Sequence, residues 1–123
     1  MPNLDPNDPV LDALDELATV LRETAERSRR AIRRAKKIRR LRERGHSYSE
    51  IVPGENRPLI VEMLTTSLYE LADVSSRLRR AEAQALYSEG FTMAKIADLF
   101  GVTRQRVATL LRSGGGGTRI EVR

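Results

Sequence analysis

Apolar and small residues recur at alternating steps of three and four along two long stretches, a spacing that lines one face of an α-helix. The first row is Leu11, Leu14, Ala18, Leu21, Ala25, Ser28, Ile32 and Ala35. The second row is Val61, Leu64, Leu68, Leu71, Ser75 and Leu78. Two rows of similar period predict an antiparallel helical hairpin with these positions in its core, and two facing hairpins would make a four-helix dimer.

Capping signals set the expected ends of these helices. Asp8 and Pro9 suit the N-cap and the first helical position, and Gly45 suits the end of a helix that reaches about Arg44. The segment 45–58 is a connection, and a second helix of about thirty residues is expected from Pro58 to Tyr87. The residues expected to form the dimer contact are Leu11, Leu14, Leu21, Ile32, Leu64, Leu68 and Leu71.

Beyond Gly90, a short amphipathic pattern is broken by a single glycine, Gly101. Thr92 and Thr103 are suitable N-caps for the helices on either side of that glycine, which itself accepts a positive φ without steric cost. Ala97 is a small residue where two helices would cross. The apolar positions expected to form the surrounding core are Ile96, Phe100, Val102, Val107 and Leu110, closed by Leu86 and Phe91.

These residues resemble a helix-turn-helix DNA-binding unit of bacterial regulator type. The stretch is similar to the reading units of resolvase-type invertases and of sigma-factor region four. The resemblance implies that the helix over 103–112 enters the major groove of double-stranded DNA. Arg, Gln, Ala and Thr side chains on its outward face match base edges. The expected base-reading residues are Thr103, Arg104, Gln105, Ala108 and Thr109.

Other polar side chains near this unit suit phosphate contacts, which position a protein without reading sequence. They are Thr92, Lys95, Arg106 and Arg112. A second source of phosphate contacts is the segment 27–44, which holds eleven Lys and Arg against one acid. Within this segment, the residues expected to bind phosphate are Arg33, Arg34 and Lys37. The alternative for this segment is pairing with the acidic region 1–26, seven acids against one Arg, of a neighbouring chain.

The resulting fold class is all-α, a long coiled-coil-like hairpin followed by a three-helix unit. Residues 1–8 are expected to be a disordered lead-in, 9–76 the dimerising hairpin, 77–112 the helix-turn-helix unit and 113–123 a flexible glycine-rich tail. Within the hairpin, Leu41–Val52 aligns with Leu86–Ala97 at a constant offset of 45. PGENRP follows where a recognition helix would stand, so this copy predicts only one short capped turn over Ser47–Val52.

Composition excludes several function classes. The 123 residues contain no Cys and one His, which argues against cysteine-based or histidine-rich metal sites. No nucleophile or phosphate-cradling loop is evident, so we expect neither an enzyme nor a cofactor. No apolar run is long enough for a membrane span, and the expected location is the cytoplasm, at the nucleoid.

Three hypotheses follow. The first is a homodimeric, sequence-specific transcriptional regulator that binds double-stranded DNA. The second is an interaction protein that binds RNA polymerase or a partner regulator, and the third is a nucleoid protein that binds DNA without strong sequence preference.

Overall fold

The computed structural model describes residues 6–112, and within them the chain forms five helices and no strand. They are α1 (Pro9–Glu43), α2 (Tyr48–Ile51), α3 (Ile60–Ser88), α4 (Met93–Phe100) and α5 (Arg104–Arg112). The all-α class is confirmed. The expectations for residues 1–5 and for the tail 113–123 lie outside the described residues.

Helices α1 and α3 form the predicted antiparallel hairpin, whose register is fixed by polar contacts. The Arg27 guanidinium donates to the Ser67 hydroxyl at 3.0 Å and to the Glu70 carboxylate at 3.3 Å. Nearer the connection, Arg34 donates to the carbonyls of Asn56 and Pro58. At the other end of the hairpin, Arg77 and Glu16 form an ion pair.

The helix contact uses rows one residue earlier than the sequence predicts. On α1 the buried or half-buried row is Val10, Ala13, Leu17, Val20, Thr24, Arg27, Ala31, Arg34, Ile38 and Leu41. On α3 it is Ile60, Met63, Ser67, Glu70, Val74, Arg77, Ala81 and Gln84. The expectation that the two apolar rows form the hairpin core is therefore wrong. Periodicity missed the contact rows because they contain polar residues, of which Arg27 bonds to Ser67 and Glu70 across the hairpin.

The rows predicted as core lie instead on one exposed side of the hairpin. Each row is one residue after its contact row, a step of about 100° round the helix. Because antiparallel helices turn in opposite senses when viewed from one end, both rows then point to the same side. We call these fourteen positions the apolar face; it contains no charged residue.

The rows one residue before the contact rows form the opposite side, the polar face. On α1 every residue of this row from Asp12 to Arg40 is exposed, and only Thr19 is uncharged. The acids of the row lie towards the start of α1 and the bases towards its end. The members are Asp12, Glu16, Thr19, Glu23, Glu26, Arg30, Arg33, Lys37 and Arg40.

Most of the predicted helix ends are confirmed. Asp8 caps α1 by accepting from the Val10 amide at 2.9 Å, with Pro9 in the first position. Gly45 follows the C-cap Arg44 with a φ of 93°. The second long helix begins at Ile60 rather than at Pro58. Its N-cap, Leu59, has no acceptor side chain, and the Glu55 carboxylate of the connection accepts from the Ile60 amide at 2.8 Å instead.

The short capped turn predicted over Ser47–Val52 is present as α2. The turn before it repeats the turn before α4, because the amide of His46 donates to the Leu41 carbonyl as that of Phe91 does to Leu86. Ile51 is buried at this turn. The connection after Ile51 then leads into α3, so this half of the repeat has no second helix of its own.

The row assignment predicts a difference between two identical substitutions. Val74 is fully buried in the α3 contact row, whereas Val52, at the end of α2, is 58% exposed. Val74→Ala should lower the free energy of unfolding by about 2 kcal/mol, because it removes buried methyl groups and leaves a cavity. Val52→Ala should change it by less than about 0.5 kcal/mol. Urea denaturation at one protein concentration measures both, and equal losses would contradict the assignment.

Candidate nucleic-acid interface

The C-terminal unit is built on the last turns of α3, against which α4 and α5 pack. Its buried cluster is Ala83, Ile96, Ala97, Val107 and Leu110, with Leu86, Met93, Phe100 and Leu111 packed against it. Ala83, Ile96 and Val107 are fully buried. The small side chains of Ala83 and Ala97 let the three helices approach closely.

This cluster corrects part of the expected core. Val102 and Phe91 are 39% and 38% exposed and lie outside the buried cluster. Val102 belongs to the turn after Gly101, and the Phe91 ring lies 6.0 Å from the Lys95 ammonium. Ala83, Met93 and Leu111 fill the core instead. Ala83 was missed because a small residue inside a long helix carries no amphipathic signal of its own.

The turn between α4 and α5 has the predicted geometry. Gly101 ends α4 in the left-handed conformation at φ 66° and ψ 35°, and the Val102 amide donates to the Ala97 carbonyl at 3.0 Å. Thr103 then caps α5 by accepting from the Arg106 amide at 3.0 Å. Thr92 caps α4 in the same way, by accepting from the Lys95 amide at 3.2 Å. These caps fix the angle at which α5 leaves the turn.

The outward face of α5 carries the expected base-reading residues. Thr103, Arg104, Gln105 and Thr109 are exposed and Ala108 is half-buried, while Val107 and Leu110 of the same helix point into the core. The Thr109 hydroxyl donates to the Gln105 carbonyl at 3.1 Å, one turn earlier. The helix therefore presents an Arg, a Gln and two Thr side chains from its first turns.

The residues expected to hold phosphates fall into two groups. Thr92, Lys95, Arg106 and Arg112 are exposed around the C-terminal unit. Arg33 and Lys37 are exposed on the polar face near the connection. Arg34 differs from these, because its guanidinium is engaged by the backbone carbonyls of the connection. The structure does not bring the two groups together.

One side of α3 carries the whole C-terminal unit. Ala83 belongs to the row before the contact row, and Arg79, just beyond that row, lies with its guanidinium carbon 4.1 Å from the centroid of the Phe100 ring. The unit therefore packs on the polar-face side of α3, leaving the apolar face unobstructed.

A comparison with family models supports the same interpretation of this unit. Residues 75–116 match the model of the homeodomain-like domain. The match supports a helix-turn-helix DNA-binding unit, and it covers about a third of the chain. Searches of curated proteins and of solved structures returned no significant match to the chain.

Within the described residues, the features that indicate a function lie in the helix-turn-helix unit. Within residues 6–112 no His, Asp and Glu side chains are grouped to hold a metal ion. No helix in that range is both long and apolar enough to cross a bilayer. What this part of the chain offers chemically is a capped, exposed helix with hydrogen-bond donors and acceptors, on a rigid three-helix core.

The turn predicts a graded response to substitution at Gly101. A Cβ at this position would meet no atom within 4 Å, so only the backbone conformation resists a side chain. Gly101→Ala should cost about 1–2 kcal/mol of stability, because an L-residue is disfavoured in the left-handed region. Gly101→Asn should cost less, because Asn tolerates that region. Thermal unfolding ranks the two variants, and an equal or reversed order would contradict the geometry.

Proposed function

We propose that the protein is a homodimeric transcriptional regulator of bacterial type that binds double-stranded DNA with sequence preference. The observation that carries this proposal is the exposed face of α5 beyond a capped turn. Arg is suited to bidentate bonds with guanine and Gln with adenine, and the Thr methyl group suits the thymine methyl. Recognition helices of helix-turn-helix units use their N-terminal residues for such contacts. Arg104 and Gln105 occupy those positions in α5.

Phosphate contacts would fix this helix in the groove. Lys95, Arg106 and Arg112 surround the unit with positive charge, and the Thr92 hydroxyl stands at the N-terminus of α4. Cations and helix N-termini commonly contact the DNA backbone, which sets register and orientation.

The second half of the proposal is dimerisation through the apolar face. Leu11, Leu14, Leu21, Ile32, Val61, Leu64 and Leu68 are all exposed on it. From Leu11 to Ile32 the face runs about 30 Å, and two helices side by side make it about 20 Å wide. That area, about 600 Å² per chain, approaches the roughly 800 Å² per partner of a standard stable interface. Exposed apolar patches of this size mark interaction sites.

A second copy of the same chain fits this face better than a charged partner would. The fourteen positions offer no charge to pair with, and they include five small side chains among nine large ones. Leu64 and Leu68 of α3 lie at the level of Ala25 and Ser28 of α1, so large side chains of α3 stand beside small side chains of α1. A dimer with two-fold symmetry would present two helix-turn-helix units and would therefore bind a roughly palindromic DNA site.

Base reading is tested by selecting binding sites from a pool of random duplexes with the purified protein. Arg104→Ala and Gln105→Ala should each weaken binding to the selected duplex by about 1–3 kcal/mol, or roughly 5- to 150-fold. Binding to random duplexes should change much less. Arg22→Ala, an exposed change on the hairpin, is the matched control. Enrichment of no sequence would overturn the proposal, and would favour the nucleoid or polymerase-binding alternatives.

Dimerisation is tested with one glutamate on each face of α3. Leu68 is 68% exposed, so Leu68→Glu leaves the hairpin intact but would place an unpaired charge in the dimer contact. The dimer dissociation constant should rise by about 100-fold or more, because that charge loses its hydration without a partner. Thr66→Glu, on the polar face, should leave the constant nearly unchanged. Sedimentation equilibrium measures both, and a wild-type monomer at about 10 μM would contradict the dimer.

A further inference from the structure

The cations of the basic segment 27–44 differ in their ion pairing, according to the row of α1 on which they lie. Arg27 pairs with Glu70 across the hairpin, Arg29 with Glu26, and Arg39 with Glu43. In contrast, no carboxylate of residues 6–112 lies within ion-pair distance of the bases that α1 contributes to the polar face. These four bases of α1, which we call the basic stripe, are Arg30, Arg33, Lys37 and Arg40.

The basic stripe is a continuous exposed surface. Its members follow one another at steps of three and four, so they lie on one side of α1 over about 15 Å. Together with Arg34 they line a single shallow depression to which no other residue type contributes. Such a concentration of one charge on an exposed surface attracts a polyanion.

An acidic row of a second copy is a poor match for the stripe. The candidate acids on the polar face are partly committed within their own chain, since Glu16 pairs with Arg77 and Glu26 with Arg29. The hydrogen bond from Arg29, together with the charges of Arg29, Arg30 and Arg33, lowers the pKa of the Glu26 carboxyl. A dimer formed through the apolar face would also leave the polar face pointing outward.

The stripe is far from the helix-turn-helix unit of its own chain. The contacts of Arg27 with Ser67 and of Arg34 with Pro58 place it beside the first turn of α3 and the connection. Met63 and Arg79, whose guanidinium lies on the Phe100 ring of the unit, are sixteen residues apart on α3, so the stripe lies about 24 Å along the hairpin from the unit. That distance is about seven base pairs of duplex. The acids of the polar face lie between the two sites.

We propose that the basic stripe is a second DNA-binding surface, which holds the backbone of duplex outside the half-site read by α5. This inference rests on the proposed function only for the presence of DNA. Each strand of a duplex carries one negative charge per about 3.4 Å of the helix axis, so about four phosphates of one backbone fall along the roughly 15 Å of the stripe. The contact reads no sequence, because its donors reach phosphates and not base edges.

The test neutralises the stripe and compares it with a control of equal charge. Arg33→Gln, Lys37→Gln and Arg40→Gln together form the stripe variant. Arg22→Gln, Lys36→Gln and Arg44→Gln together form the control, since these exposed residues lie off the stripe. Binding to a 40-base-pair duplex of random sequence is measured from about 50 to 200 mM salt, for the wild type and both variants.

Loss of three phosphate contacts should lower the log–log salt slope by about 2.7 for each bound chain. Over that salt range the wild-type affinity should therefore fall about 40-fold more than the affinity of the stripe variant for each chain whose stripe contacts the duplex. The control should keep nearly the wild-type slope. Equal slopes in the wild type and the stripe variant would overturn the inference. So would a stripe variant with unchanged DNA binding but weaker self-association, because the cations would then pair with a second copy.

A further arm separates this inference from the proposed function. A protein carrying Arg104→Ala and Gln105→Ala should lose sequence preference and retain binding to the random duplex through the stripe. Adding the three stripe substitutions should weaken that remaining binding further and lower its salt slope by the same amount as in the wild-type background. If the wild type shows no sequence preference but its binding still depends on the stripe, the proposed function fails and the stripe stands. If the remaining affinity ignores the stripe substitutions, the stripe fails.

Discussion

The register of α1 against α3 is the constraint on which the rest of the structure depends. Arg27 bonded to Ser67 and Glu70, and Arg34 bonded to the carbonyls of the connection, hold the two helices so that one row of each is enclosed. Small residues such as Ala13, Ala31 and Ala81 are buried in those rows. Rotating either helix by one residue would enclose leucines and expose these alanines. The polar members of the contact rows would then lose their partners.

That register divides the molecule into sides with different chemistry. The enclosed rows hold the hairpin together, the following rows make an uncharged apolar face, and the preceding rows make a charged polar face. The helix-turn-helix unit packs on the polar-face side through Ala83. In the proposed regulator, a second copy covers the apolar face, while the DNA-binding surfaces remain on the outside.

The sequence predicted where the helices lie along the chain better than it predicted the rotation of each long helix about its own axis. Periodicity and caps identified both long helices, the Thr92 and Thr103 caps and the left-handed Gly101, because these depend on neighbouring residues alone. Which row faces the partner helix depends on contacts between distant residues. From the sequence alone, Arg27 and Arg34 are expected on the surface. Arg27 bonds to a residue forty positions away, and Arg34 bonds to residues twenty-two and twenty-four positions away, so neighbouring residues do not reveal these contacts. Periodicity therefore favoured the uncharged row and missed the contact row.

The candidate site shows the same limit. The outward residues of α5 follow from helical projection once Gly101 and Thr103 are placed. Ala83 and Leu111 were missed because their burial depends on how three helices meet. The segment 27–44 read as one basic block, with cations nearly all round the helix. Only the structure separates Arg29 and Arg39, which form ion pairs, from the basic stripe, which forms none with any carboxylate of residues 6–112.

Hydroxyl-radical footprinting on a selected duplex, with the number of bound chains counted at saturation, tests the central claim most directly. A dimer that presents two helix-turn-helix units should protect two segments related by two-fold symmetry, with two chains per duplex. One protected segment with one chain bound would contradict it.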